Sequence, residues 1–505
     1  MVIIVAIIKR MEKRRSNTSL LKNRKANKIA KTRLRSAEKF KIEGDDKAYY
    51  DEIAQALAPL SSYHSIVPGV VTETLERSIQ VRLGDGTDIV IEWQGLSWAR
   101  AYFNDDKQGP APKVAHEIVK TGDIVMVTPS ATGYRLSQLP DVSSALVSLA
   151  TDDGAIKAAV GGFSFIQSQF NRVTQAKRQV GSNIKPFIYS AALDSGYTLA
   201  SIVNDAPINQ WDRSSGVVWR PKNSPPVYNG EIRLRLALAQ SKNVIAVRLL
   251  RDVGLDKIIP YLASFGFDPD DLPRNESLAL GSASLTPLEV ATGFATFANG
   301  GFLIQPYLIE RIEDSFGKVI FQANPAIACD RCEDSFPITS DVVTESNNES
   351  AADTALEAKV INKAERVISA QNAFLMTEAL NSAIWGADWN IKPYWQGTGY
   401  RDRTLKRRDI AGKTGTTNQA KDAWFSGYSR RLVTTSWIGF DDPSRNLGQT
   451  AYNSNLGKEQ TTGKEFGAKS AQPAWINFMK VATSLNFNDF LIMPPAYYKY
   501  GDREV

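Results

Sequence analysis

Histidine is nearly absent from this chain. His64 and His116 are the only two among 505 residues, and none follows His116. A serine–histidine–aspartate triad built on a serine further along would have to borrow its imidazole from another domain, which argues strongly against that mechanism. With only two cysteines to add, zinc chemistry lacks ligands as well. The two cysteines stand in Cys329-Asp-Arg-Cys332, in a polar stretch. A small local disulfide formed in an oxidising compartment is the expectation there, ahead of a redox or metal role. No cofactor and no metal are expected. Long apolar runs are missing too. VIIVAII at 2–8 is far shorter than the roughly 18 residues a bilayer span needs. Basic residues follow it rather than precede it, and no small-residue cleavage site comes after, which is the wrong order for a signal peptide.

What remains is an ordinary globular composition. At 43% hydrophobic and 23% charged residues the chain can build large cores, and its length predicts two to four domains. The net charge of +6 is misleading. Residues 1–42 hold 14 lysines and arginines against Glu12 and Glu38, leaving a net −6 for the other 463 residues. The basic character belongs to an N-terminal arm, so the body gives no case for a nucleic-acid partner. Residues 1–65 read as a basic arm and linker, poorly ordered.

Residues 66–140 read as a small β domain. Strand-like runs at 79–83 and 89–93 flank a Gly84-Asp85-Gly86 turn, and a second pair is predicted at 122–129 and 133–140. A hairpin over 144–163 opens a larger domain that extends to about 485. Within it, one helical pattern starts near Leu234 and runs past Ser241 and Asn243 to about Val253. Thr286, Pro287 and Glu289 have the pattern of a capped helix start. That helix should end at Asn299-Gly300-Gly301. Residues 333–358 carry seven acidic residues and no lysine or arginine, which predicts a mobile surface insertion. Another helix is expected over 370–384, strands near 423–428 and 432–439, and an irregular tail over 486–505.

Three short motifs carry the chemistry. The first is Ser182-x-x-Lys185, followed by Pro186. Proline is tolerated only in a helix's first turn, so a helix should begin near Ser182 or Asn183, with Ser182 at its positive end and Lys185 one turn on. That arrangement suits a nucleophilic serine with a lysine base. Alone the spacing means little, since Ser36 and Lys39 share it within the basic arm. The second motif is Ser241-x-Asn243 and the third Lys413-Thr414-Gly415. Decoys of each exist, Ser484-Leu485-Asn486 and Lys120-Thr121-Gly122, but the latter precedes the nucleophile. The order of the three, with starts 59 and 172 residues apart, is the strong signal.

With these motifs, and with FNRVTQAKRQVGSNIKPFIY, WRPKNSPPVYNGEIRLRLALAQSKN, ESLALGSASLTPLEVATGFATFANGGF, GKTGTTNQAKDAWFSGY and GAKSAQPAW around them, the chain from about 65 to about 480 resembles the transpeptidase half of class A penicillin-binding proteins, 1A type. The resemblance implies an α+β, β-lactamase-like transpeptidase domain, an antiparallel sheet flanked by helices, preceded by an OB-like β domain at 66–140. It implies peptidoglycan D,D-transpeptidation through an acyl-enzyme on Ser182, with Lys185 as base. Ser241 would relay a proton to the leaving amine, and Asn243 would hold the substrate amide and Lys185. Lys413 would supply positive field for the terminal carboxylate. The hydroxyls of Thr414 and Thr416 would bind that carboxylate, and Gly415 would leave room for substrate along the strand edge. The backbone N–H groups of Ser182 and Thr416 would form the oxyanion hole. The implied partners are stem peptides ending in D-Ala-D-Ala, an amine acceptor, β-lactams, and an outer-membrane lipoprotein activator at the OB-like domain. Homo-oligomerisation is left open, and the implied location is the periplasmic face of the inner membrane.

The family also carries a transmembrane helix and a glycosyltransferase domain ahead of the transpeptidase, and residues 1–42 match neither, so a truncated or split product is expected and glycan polymerisation is not. Two other readings compete: a D,D-carboxypeptidase or β-lactamase-type hydrolase, and a non-catalytic interaction module. No deacylating glutamate is evident for the first, and the intact motifs weigh against the second.

Overall fold

The computed structural model describes residues 47–105, 107–208, 210–211, 218–330, 362–386, 396–448 and 465–483. The acidic segment 333–358, the tail 486–505 and the arm 1–42 lie outside them. Cys329 is disulfide-bonded, as expected, while Cys332 is outside the described residues.

The first described element falls inside the stretch read as a poorly ordered arm and linker. Lys47–Leu57 is a helix (α1). Its Tyr50, Ile53 and Leu57 recur at helical spacing and pack against Val70 of the β domain that follows, a stripe that the basic run before it obscured. Arg82 stacks its guanidinium 3.5 Å from the Tyr50 ring centre on the same face.

Five strands then form an antiparallel sheet: β1 (Val67–Thr74), β2 (Ser78–Leu83), β3 (Asp88–Glu92), β4 (Ile124–Ser130) and β5 (Gly133–Ser137), in the order β3-β2-β1-β4-β5. The four strands expected here are present, but the central one, β1, was not expected. It contains Pro68 and Gly69, which ordinarily demote a strand. Pro68 is accommodated because pairing with β2 starts only at Gly69, so at Pro68 β4 alone is the neighbour. Val71, Ile79, Val81, Ile91, Val127 and Leu136 make this domain's core.

The larger domain is built on a second antiparallel sheet. Its strands are β6 (Ser143–Ala150), β7 (Ile156–Val160), β8 (Ala411–Thr416), β9 (Asp422–Tyr428) and β10 (Leu432–Gly439), in the order β8-β9-β10-β6-β7. The predicted hairpin and C-terminal strands are therefore present, and the Lys-Thr-Gly strand β8 forms one edge. On one side of the sheet lie α2 (Lys185–Asp194), α6 (Pro287–Ala298) and α7 (Ala370–Trp385), with α8 (Gln472–Ala482) packing on β9 and β10. Eight consecutive residues of α2, Lys185 to Ala192, are buried, so it is a core helix on every face. Phe187 sits at the centre, edge-on to Phe265, Phe267 and Phe294 at 4.9–5.5 Å between ring centres.

Helix α6 starts as the sequence predicts. The Thr286 side chain accepts from the Glu289 N–H, and the Glu289 carboxylate accepts from the Thr286 N–H. The helix expected from Leu234 to Val253 is instead two: α3 (Leu234–Ala239) and α4 (Asn243–Val253), with α5 (Leu255–Ala263) after them. Ser241, with φ +56°, breaks the pattern.

Candidate active site

Ser182 lies in a 3₁₀ turn, Gly181–Ile184, and α2 proper starts at Lys185 with Pro186 in its first turn. The helix thus begins slightly later than the proline predicts, and Ser182 sits just ahead of it. The turn is pressed against the edge strand β8. A Cβ on Gly181 would come within 2.7 Å of the Thr416 carbonyl oxygen, and a Cβ on Gly415 within 2.7 Å of the Val180 carbonyl oxygen and 3.2 Å of the Asn183 side chain. Gly415, expected to leave room for substrate, also leaves room within the protein for the Ser182 turn. Beneath it, the Asn183 amide donates to the Ser426 hydroxyl of β9 at 3.2 Å, which also accepts from Thr435 at 2.9 Å.

Lys185 is fully buried. Its Nζ donates to Asn243 Oδ1 at 2.6 Å, to the Ser241 carbonyl at 2.7 Å and to Ser241 Oγ at 3.3 Å. Lys413, also fully buried, reaches the same Ser241 Oγ at 2.8 Å and its neighbour's carbonyl, Thr414, at 3.0 Å. Four of the residues singled out in three separate motifs therefore share one hydrogen-bond cluster. Burial first, and the Lys413 charge second, push the Lys185 ammonium well below its usual range. Burial brings Lys413 down to about 7.

The two threonines are arranged differently from the expectation that both hydroxyls face a carboxylate. Thr414 Oγ1 donates to the Thr398 hydroxyl at 2.8 Å, and Thr416 Oγ1 accepts from the Gly467 N–H at 2.9 Å. Thr398 lies outside every stretch singled out in the sequence, and Gly467 opens GAKSAQPAW. Thr398 also donates its N–H to the Ala239 carbonyl at the end of α3, tying β8 to the turn that carries Ser241.

That turn has its own support, likewise missed. Asn223, 4% exposed, accepts from the N–H groups of Asn243 and Val244 at 2.9 and 3.2 Å, capping α4 from a distant loop. Buried Asp205 receives Asn223 Nδ2 at 2.7 Å and Lys242 Nζ at 2.9 Å. The only sequence signal was the run WRPKNSP, which marks a loop but not where it folds. A largely buried pair, Arg178–Asp422 at 2.8 Å, holds the strand before Ser182 to β9.

Among the described residues no group of three or more histidine, cysteine, aspartate or glutamate side chains could hold a metal ion, and no helix is long and apolar enough to cross a membrane.

Comparison with known proteins gives the arrangement a family. The penicillin-binding protein transpeptidase domain matches residues 145–446, and the penicillin-binding protein OB-like domain matches residues 35–142. Penicillin-binding protein 1A of Vibrio cholerae is 47% identical over 455 residues, which cover 89% of this chain and 53% of that protein. Penicillin-binding protein 1A of Escherichia coli is 46% identical over 457 residues, covering 85% and 53%. The chain thus spans about half the length of the curated relatives it matches. The crystal structure of penicillin-binding protein 1A from Haemophilus influenzae superposes with a TM-score of 0.74 at 40% identity, covering 93% of this chain and 66% of that one. A buried lysine pair converging on Ser241, with the Ser182 turn pressed on the sheet edge, thus stands where the transpeptidase domain matches, and the chain belongs to the penicillin-binding protein family, 1A type.

Proposed function

We propose that this chain is a serine D,D-transpeptidase that cross-links peptidoglycan stem peptides and is acylated by β-lactams at Ser182. The observation that carries the reading is the buried cluster of Lys185, Ser241, Asn243 and Lys413, built on the lysine that opens the helix directly after the Ser182 turn.

A lysine can serve as a base only when neutral, and desolvation beside a second cation favours that form. The three acceptors around Lys185 match the three N–H bonds of an ammonium. The neutral amine keeps the two short bonds and offers its lone pair to the Ser182 proton. The Ser182 oxygen then bonds to the carbonyl carbon of the penultimate D-alanine. The proton passes through Ser241, which both lysines touch, to the nitrogen of the leaving D-alanine. The C–N bond breaks and an ester remains on Ser182. An amine of a second stem peptide attacks that ester, forms the new amide and returns the proton to the serine oxygen.

The roles of Thr414 and Thr416 follow from their strand. Thr416 accepts its one bond within the protein and so keeps its O–H free to donate to a carboxylate, whereas Thr414 would have to release the Thr398 hydroxyl to do the same. Lys413 beside them supplies the positive field for a terminal carboxylate, and that carboxylate would raise the Lys413 pKa above 7 on arrival. The oxyanion would be met by the N–H groups of Ser182 and Thr416, whose backbones lie against each other across Gly181. Such substrates lie outside the inner membrane, which supports a periplasmic setting. The lipoprotein activator would dock on the OB-like domain, where Val90 and Phe103 are exposed.

Labelling the purified chain with a fluorescent penicillin tests the proposal. The label should be covalent, map by mass spectrometry to the peptide holding Ser182, and vanish in Ser182→Ala. A label that persists in that variant, or maps to Ser36, would overturn it.

A further inference from the structure

We infer that Asn223 is a positioning residue for acylation, acting through Asn243 to aim the Lys185 amine; this rests on the transpeptidase reading above.

Asn243 has two jobs that compete for one side chain. Its Oδ1 must accept from Lys185 Nζ, and it does so at 2.6 Å. An amide on a surface turn would be free to rotate by half a turn about its last bond and present its NH₂ instead, which repels an ammonium and wastes the contact. Two neighbours prevent that. The Lys222 carbonyl accepts from Asn243 Nδ2 at 2.7 Å, which fixes which end of the amide is which. The next residue, Asn223, accepts from the Asn243 N–H at 2.9 Å and from the Val244 N–H at 3.2 Å, which fixes the backbone that bears the amide. The dipeptide 222–223 therefore grips Asn243 at backbone and side chain together.

The grip has an anchor of its own. Helix α4 has no side-chain cap from Lys242, the residue in the N-cap position, so its first free N–H groups would be unsatisfied without Asn223. Asn223 Nδ2 donates to Asp205 Oδ1 at 2.7 Å and to the Val227 carbonyl at 3.0 Å. Asp205, fully buried, also receives Lys242 Nζ at 2.9 Å and the Asn229 N–H at 3.1 Å. Lys242 in turn donates to the Val227 carbonyl at 3.0 Å. The Lys242 charge, between Lys185's two acceptor residues in sequence, is thus compensated by Asp205 rather than added to the lysine pair. Both side-chain polar atoms of Asn223 are occupied, Oδ1 by the first two N–H groups of α4 and Nδ2 by Asp205 and the Val227 carbonyl. The turn needs this support because Ser241 sits at φ +56°, a conformation an L-residue adopts only when its surroundings impose it.

Without the grip, the Asn243 carbonyl no longer stays on Lys185. Small misplacements of a catalytic base cost up to about a hundred-fold in rate. The carbonyl also favours the charged amine, so its loss should move the acid limb of acylation to lower pH.

The test is a double-mutant cycle on the full chain, with one soluble penicillin and stopped-flow separation of binding from the acylation step. Asn223→Ala should lower the acylation rate constant about ten- to a hundred-fold with the dissociation constant changed less than three-fold. In an Asn243→Ala background the same change should cost less than three-fold, because the residue it acts through is gone. Asn223→Ser, whose hydroxyl can still accept from both N–H groups, should recover part of the rate and serves in the cycle if the alanine variant does not fold. Additive losses in the two backgrounds, an Asn223 variant that acylates at the wild-type rate, or failure of both Asn223 variants to fold would each overturn the inference. Failure of the wild-type chain to be acylated would instead overturn the transpeptidase reading, so the two are distinguished by the first measurement.

Discussion

Lys185 and Lys413 converge on one hydroxyl. Their Nζ atoms lie 3.3 and 2.8 Å from Ser241 Oγ, and neither lysine has any exposed surface. Two buried ammonium groups so close oppose each other, and at least one must give up its proton readily. Burial and the neighbouring Lys413 charge weigh on Lys185, and burial alone lowers Lys413 to about 7. The proposed division of labour, a neutral base and a charged field, follows from that asymmetry.

Arginine in each position separates the two roles. Arginine does not deprotonate in a protein, so Lys185→Arg should abolish acylation by a β-lactam. Lys413→Arg retains the charge with altered reach, and a loss on the order of ten- to a thousand-fold is expected, as for one electrostatic contact. Acylation rates of both folded variants, measured with one β-lactam, check this. If Lys185→Arg reacts as fast as Lys413→Arg, the base is another group.

Lys413 should also leave a mark on stability. Its pKa falls from 10.5 unfolded to about 7 folded, so between those values the unfolded chain binds more protons. Stability contributed by this site therefore rises with pH from about 7 to about 10.5, and the penalty is fully present below about 7. Lys413→Met removes the ionisable group and keeps the length. It should be more stable than wild type at pH 7, with an advantage that shrinks by pH 9, as read from urea unfolding. A difference between the two that does not change with pH would count against a depressed Lys413.

Gly281 is expected to matter more than its distance in sequence from the nucleophile implies. It adopts φ +83°, and a Cβ there would lie 1.9 Å from the Gly181 carbonyl oxygen, beside Ser182. The Gly181 N–H donates to the Gly281 carbonyl at 3.1 Å, so the two backbones cannot part without cost. Gly281→Ala should lose about 2–4 kcal/mol and acylate at least about ten-fold more slowly, because the turn must shift. Gly300→Ala is the control. It also has positive φ, +87°, but open space around it, so about 1–2 kcal/mol and an unchanged acylation rate are expected. Equal acylation by both variants would remove the link to the nucleophile turn.

Local rules decided much of this protein. The capping box at Thr286 and Glu289, the hairpin of β6 and β7, and the strands β9 and β10 are each set by residues within a few positions of one another, and all stand where the sequence predicts. The order of Ser182, Ser241 and Lys413, with histidine absent around them, pointed to a lysine base before any fold was known. Tertiary structure decided the rest. The apolar period from Leu234 to Val253 runs straight through Ser241, and Asn223 and Asp205, brought in from elsewhere in the chain, hold the turn at Lys242 and Asn243 that divides it into two helices. Gly415 reads from the sequence as room along a strand edge, and only the fold brings the Val180 carbonyl within 2.7 Å of where its Cβ would stand. Pro68 and Gly69 argue against a strand that turns out central, since what counts for a proline is whether a neighbour needs its missing N–H at that register. The lysine pKa values are tertiary as well. A side chain's charge is written in the sequence, but the cost of keeping that charge depends on how much water the fold removes and on which other charge it brings near.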